Sequence, residues 1–255
     1  MNVISRFIPP PIKRSLKKRL ERMVGTTQEN STASFAQEGE DIVLSRLFGM
    51  VDRTTNGFYV DVGAHHPSRY SNTYYFYLRN WTGINIDAMP GSMASFRVTR
   101  PKDINLEVAI SDVEQLLTYY EFNEPALNGF CEELARQRDK YLHFKLVSTR
   151  QIETRRLSQI LEQHIKTSCP IDFLTVDVEG LDIEVLKSND WSKFRPKLVL
   201  AEDVNAATVQ DACKSEVAKY MFEQGYELLS KTALTLFFAA PEYIETGATG
   251  VRIAS

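Results

Sequence analysis

Gly57-Phe-Tyr-Val-Asp61-Val-Gly63-Ala64 is the stretch whose reading decides the fold. Its aromatic and β-branched residues suit a strand buried on both faces. A glycine at the end of such a strand lets the backbone approach a ligand at the carboxyl edge of the sheet, where open α/β sheets bind their ligands. A dinucleotide-binding turn needs G-x-G-x-x-G, but here Gly63 is followed by Ala64-His65-His66-Pro67-Ser68, with no second or third glycine. A ligand without a pyrophosphate fits this turn better, which disfavours a nicotinamide-dependent oxidoreductase.

Working outward, strands and helices alternate. A helix over 38–48 precedes the first strand, and a helix over 72–79 follows it. Strands are expected at 83–87, 104–110, 171–176 and 197–201, with helices after Pro90 and over 157–165, 182–187 and 208–224. This rhythm is that of a mostly parallel sheet covered by helices on both faces. Residues 115–122 alternate as an edge strand, whereas 123–147 are irregular and charged. The chain closes with two short strands, 226–230 and 235–239, joined by a tight connection. A sheet ending in an antiparallel hairpin, not in another crossover helix, separates this fold from the dinucleotide-binding one.

With 255 residues, one α/β domain is expected over 34–255, behind an N-terminal arm and linker over 1–33. Residues 1–24 carry seven Lys/Arg against one acid, although the whole chain is at −3. They read as a basic amphipathic helix suited to an anionic membrane surface or an acidic partner. The net charge gives no case for a nucleic-acid partner. Cys131, Cys169 and Cys213 are far apart and lack metal-ligand spacing, as expected of reduced thiols in the cytoplasm. No apolar run approaches the ~20 residues of a membrane span.

Asp87 closes the second strand 24 residues after Gly63, where a carboxylate accepts hydrogen bonds from both hydroxyls of a ribose. Asp177 and Glu179 end a later strand beside the first, placed to orient an acceptor, draw its proton or hold a metal. Glu202 and Asp203 close the next strand. With Asp177 they would suit a divalent cation such as magnesium. His65 and His66 follow Gly63 directly, as imidazoles able to take a hydroxyl proton near neutrality.

The blocks Ser34-Phe-Ala-Gln37-Glu-Gly39-Glu40-Asp41, 57–64, Ser71-Asn72-Thr73, Trp81-Thr-Gly83-Ile-Asn-Ile-Asp87-Ala-Met-Pro90 and Ile171-Asp-Phe-Leu-Thr-Val-Asp177-Val-Glu179-Gly180 resemble those of the FkbM-type methyltransferases, in order and spacing. The resemblance runs from about Ser34 to Ala240. It implies a Rossmann-like class I methyltransferase sheet, S-adenosylmethionine as cofactor, and O-methylation of a sugar, glycolipid or related natural product. The expected cofactor contacts are Gln37, Asp61, Gly63, Ala64, Asn72, Asp87, Ala88, Ser111 and Asp177. His65, His66, Asp177 and Glu179 are the catalytic candidates. Many relatives carry Asn-x-Gly where this chain has His65-His66-Pro67. A non-catalytic adenosine-binding scaffold of the same fold is the alternative.

Overall fold

The computed structural model describes residues 32–49, 56–166 and 168–245. The basic helix expected in 1–24 lies outside them. In chain order, α1 (Glu40–Leu47) leads to β1 (Phe58–Val62), α2 (Tyr74–Tyr77), β2 (Thr82–Asp87), α3 (Met93–Thr99), β3 (Ile104–Glu107) and β4 (Ala109–Ile110). There follow β5 (Leu116–Phe122), α4 (Glu132–Arg138), β6 (Leu146–Arg155), α5 (Leu157–His164), β7 (Phe173–Val176), α6 (Asp182–Lys187) and β8 (Leu198–Glu202). The chain then runs through α7 (Val209–Ala212), α8 (Glu216–Glu223), β9 (Glu227–Lys231), β10 (Thr235–Ala239) and α9 (Pro241–Glu245).

Among the described residues, seven strands form one sheet in the order β3-β2-β1-β7-β8-β10-β9. β1 pairs in parallel with both β2 and β7, and β7 in parallel with β8. β10 runs antiparallel to β8 and β9, so the expected closing hairpin is present. This is the Rossmann-like methyltransferase sheet. The chain builds outward from β1 through β2 to β3, then returns to β1's other side with β7. That reversal leaves a crevice at the carboxyl ends of β1 and β7, the place where open sheets bind ligands. The apolar strand residues Val60, Ile84, Leu200 and Phe238 are fully buried, as a sheet covered on both faces requires.

Four segments depart from the sequence pattern. The strand expected over 104–110 divides at Val108, because Ala109–Ile110 leaves the main sheet to pair with Thr154–Arg155 of β6. β6 extends a second, three-stranded sheet and pairs antiparallel with β5 along its length. Its run Thr149-Arg-Gln-Ile-Glu153 has too few apolar residues to signal a strand; the ladder with β5 forms it. Residues 123–147 are not wholly irregular, since they hold a 3₁₀ turn at Pro125–Leu127 and α4. Finally, the helix expected over 208–224 is two helices. Ser215 breaks it by turning its hydroxyl to accept from the Ala218 amide at 3.1 Å, a fresh N-cap.

Candidate functional site

A cleft opens where β1, β2 and β7 end. Its floor is Val62 and Gly63, one wall is Ile86, Asp87, Ala88 and Met89, and Val108 and Ile110 close the far side. Gly63 has φ 87°, and a Cβ there would lie 1.7 Å from the Asp177 carbonyl oxygen, so only glycine allows the β1 turn to pass β7 this closely. Asp87 is 9% exposed; burial raises its pKa, against hydrogen bonds from the loop. One carboxylate oxygen accepts from the His65 amide and the other from the Met89 amide, each at 2.8 Å. A carboxylate has about four acceptor positions, so Asp87 can take a ligand hydroxyl in addition.

His65 lines the same cleft, at φ 50°. Its Nε2 is buried and has no hydrogen-bond partner among the described residues. Burial, then the neighbouring Arg69 and His66, lower its pKa, so the imidazole is neutral at pH 7. His66 is differently placed. Its Nδ1 accepts from the amides of Ser68 and Arg69 at 3.1 and 3.0 Å, so this nitrogen closes the loop and is committed to it. Of the two histidines, His65 lines the cleft and His66 does not.

Other expected contacts separate in the same way. Gln37 and Asp177 lie on the cleft and also on a smaller polar cavity beside it, which Asn72 and Glu202 line. Asn72 donates to the Thr175 hydroxyl of β7 at 3.0 Å. Asp61, Ala64 and Ser111 are not on the cleft wall. Asp61 alternates with Val62 along β1, so its carboxylate points away and accepts from Thr73 at 2.7 Å, with burial pushing its pKa up to about 6. Ala64 packs with Met93 and Phe96. Ser111 is 1% exposed, and its hydroxyl turns to Asp112.

The carboxylates do not assemble as a metal centre. Asp177 and Glu202 face each other, and a hydrogen bond between two carboxyls requires a shared proton; burial raises both pKa values, followed by repulsion from Glu202 and Glu179 on Asp177 and from Glu179 and Asp182 on Glu202. Asp203, the third ligand expected, turns into its own loop and accepts from the Asn205 amide at 3.1 Å. Among the described residues no group of three or more His, Cys, Asp or Glu is disposed to hold an ion. Glu179 reaches the cleft but is ion-paired with Arg138 of α4, and it adopts φ 57° at the turn after β7.

The segment 123–147, whose aromatic and amide side chains suit an acceptor-binding cover, contributes with β5 to a roof over the cleft. Tyr119, Asn128, Gly129 and Phe130 cover the cleft, with the Tyr119 and Phe130 rings 4.9 Å apart. Of the aromatic and amide groups in this segment, Asn128 and Phe130 reach the site, while Phe122 is buried and Tyr141 exposed. Arg138 ties the roof down by donating to the Leu127 carbonyl at 2.9 Å as well as to Glu179.

The family model for the methyltransferase FkbM domain matches residues 61–228. No curated protein matches the chain. Among solved structures, the methyltransferase FkbM of Methylobacillus flagellatus KT aligns with a TM-score of 0.45 and 10% identity over 76% of this chain. The alignment takes in 47% of that protein, so the chain spans about half its length. Aeropyrum pernix fibrillarin, in complex with natively bound S-adenosyl-L-methionine, aligns with a TM-score of 0.37 and 10% identity, covering 85% of this chain and 86% of that one.

Proposed function

The chain belongs to the FkbM methyltransferase family, and from that premise we propose that it moves the methyl group of S-adenosylmethionine to a hydroxyl oxygen of a sugar, glycan or related natural product. The observation that carries this reading is a single cleft with Asp87 at its β2 end and His65 and Asp177 at its β1–β7 end. In it, Asp87 receives the ribose hydroxyls, Ala88, Val108 and Ile110 flank the base, and Gly63 and Gln37 face the amino-acid end. When bound, S-adenosylmethionine supplies an electrophilic methyl on a sulfonium. What remains for the protein is to align an acceptor oxygen with that methyl and to take its proton. His65, held neutral by its surroundings, is the base in this reading, and the proton-sharing Asp177–Glu202 pair orients the acceptor.

Tyr119, Phe130, Asn128 and Gln37 give the mixture of aromatic faces and amides that suits a sugar ring. Calorimetric titration with S-adenosylmethionine and with NAD, followed by an assay for S-adenosylhomocysteine release, tests the proposal. Binding of S-adenosylmethionine with turnover supports it, whereas binding without turnover favours the non-catalytic scaffold and binding of NAD alone the oxidoreductase. A cytoplasmic location, with the arm of residues 1–24 resting on an anionic membrane face, belongs to the same proposal. Among the described residues no helix is long and apolar enough to cross a membrane.

A further inference from the structure

Arg100 follows α3 and is fully buried, which is rare for the side chain with the most hydrogen-bond donors. Its Nε donates to the Pro67 carbonyl at 2.7 Å, and its Nη2 to the Ser71 hydroxyl at 2.6 Å. Nη1 reaches the Thr73 hydroxyl at 2.7 Å and the Asn85 side-chain oxygen of β2 at 3.0 Å. The guanidinium therefore grips three points of one loop, 64–73, and fastens them to β2. The remaining donors around it are also committed: Thr73 gives its proton to Asp61 at 2.7 Å, and Asn85 gives its amide hydrogens to Asp103 and Asn105 at 3.0 and 2.8 Å.

The gripped loop is the one that faces the cleft. It carries His65 and Tyr70, both on the cleft wall and both in the left-handed region, at φ 50° and 54°. Side chains other than glycine remain there only where the surroundings fix the backbone from several directions. The His65 amide also donates to Asp87, so the position of the loop sets one ligand of that carboxylate. We infer that Arg100 is a positioning residue, which holds the 64–73 loop in its strained form and thereby fixes His65 against the cleft. It touches neither cofactor nor acceptor. The inference rests on the methyltransferase reading only for what the cleft is used for.

The planar fork is essential to this role. A lysine keeps the charge opposite Asp61 and Asp103 but supplies a point donor that cannot reach Pro67, Ser71, Thr73 and Asn85 together. The experiment is a proton NMR titration of the full-length chain and Arg100→Lys without ligand, following the imidazole of His65. His65 faces Arg69, His66 and Glu124, and its burial lowers its pKa below the ordinary 6.5. In Arg100→Lys the loop relaxes, and the His65 titration moves up toward the ordinary value. Circular dichroism establishes that the variant is folded. An unchanged His65 titration in a folded Arg100→Lys overturns the inference. Should that variant not fold, the same titration on Ser71→Ala, which removes one contact of the fork, decides in the same way. No cofactor enters the measurement, so a failed methyl-transfer assay cannot be mistaken for its failure.

Discussion

In the proposed reaction the proton goes to His65 or to the Asp177–Glu202 pair, of which His65 and Asp177 line the cleft and Glu202 the cavity beside it, and their titrations separate them. With His65 as base, kcat rises with pH through a value below 6.5 and is level by neutrality, because burial lowers the imidazole pKa. With the pair as base, activity keeps rising toward about pH 8, the value to which burial pushes Glu202. His65→Ala should cut kcat by roughly 10²–10⁴ with little change in cofactor affinity. A rate limb above neutrality, or full activity in His65→Ala, would move the role to the pair. Asp87→Ala should cost roughly 2–4 kcal/mol of S-adenosylmethionine binding by calorimetry, since a charged acceptor is lost from a paired site. Asp87 and Gly63 were legible because a strand end followed by a fixed interval locates them. Arg100 was not: an arginine after a helix reads as exposed, and nothing local announces that the fold encloses it.

At the scale of elements, the roof over the cleft is fastened by Arg138 of α4 to Glu179 after β7, with side chains 18% and 21% exposed. Gly129 in this roof leaves 3.1 Å between a notional Cβ and Glu179, so the two segments lie in contact. Glu179→Gln should therefore loosen the roof without touching the reacting atoms. The expected effect is a rise of roughly fivefold in the KM for S-adenosylmethionine, about 1 kcal/mol, with kcat held. A fall in kcat at constant KM would instead make Glu179 part of the chemistry. The main sheet could be read from the sequence because its strands are apolar runs between helices. The β5–β6 sheet could not, because β6 is a mostly exposed, polar strand stabilised by its partner. The break at Ser215 was hidden by apolar spacing that continues across it; the competing signal was the serine's capping hydroxyl.

For the whole molecule, buried carboxyls link stability to pH. Burial raises the pKa values of Asp61, Asp87, Asp177, Asp182 and Glu202 in the folded chain. Between the ordinary carboxylate range and those raised values the folded state binds more protons than the unfolded one, so stability falls as pH rises. The Tm should drop between about pH 5 and pH 8, and Glu202→Gln, which removes one of these titrations, should reduce that drop by roughly 2–4 °C. A Tm that does not fall across this interval would contradict the buried proton. The N-terminal charge gives a separate expectation. Deleting residues 1–24 should lower binding to anionic vesicles at low salt and spare activity on a soluble acceptor.

Methyl transfer to oxygen is tested most directly by incubating the full chain with S-adenosylmethionine labelled in its methyl group and a panel of nucleotide sugars, glycolipids and oligosaccharides. The expected result is label in one acceptor class as a base-stable methyl ether, formed in equal amount with S-adenosylhomocysteine and lost in Asp87→Ala. Label recovered on nitrogen or as a base-labile ester, or cofactor bound across the whole panel with no S-adenosylhomocysteine released, would contradict it.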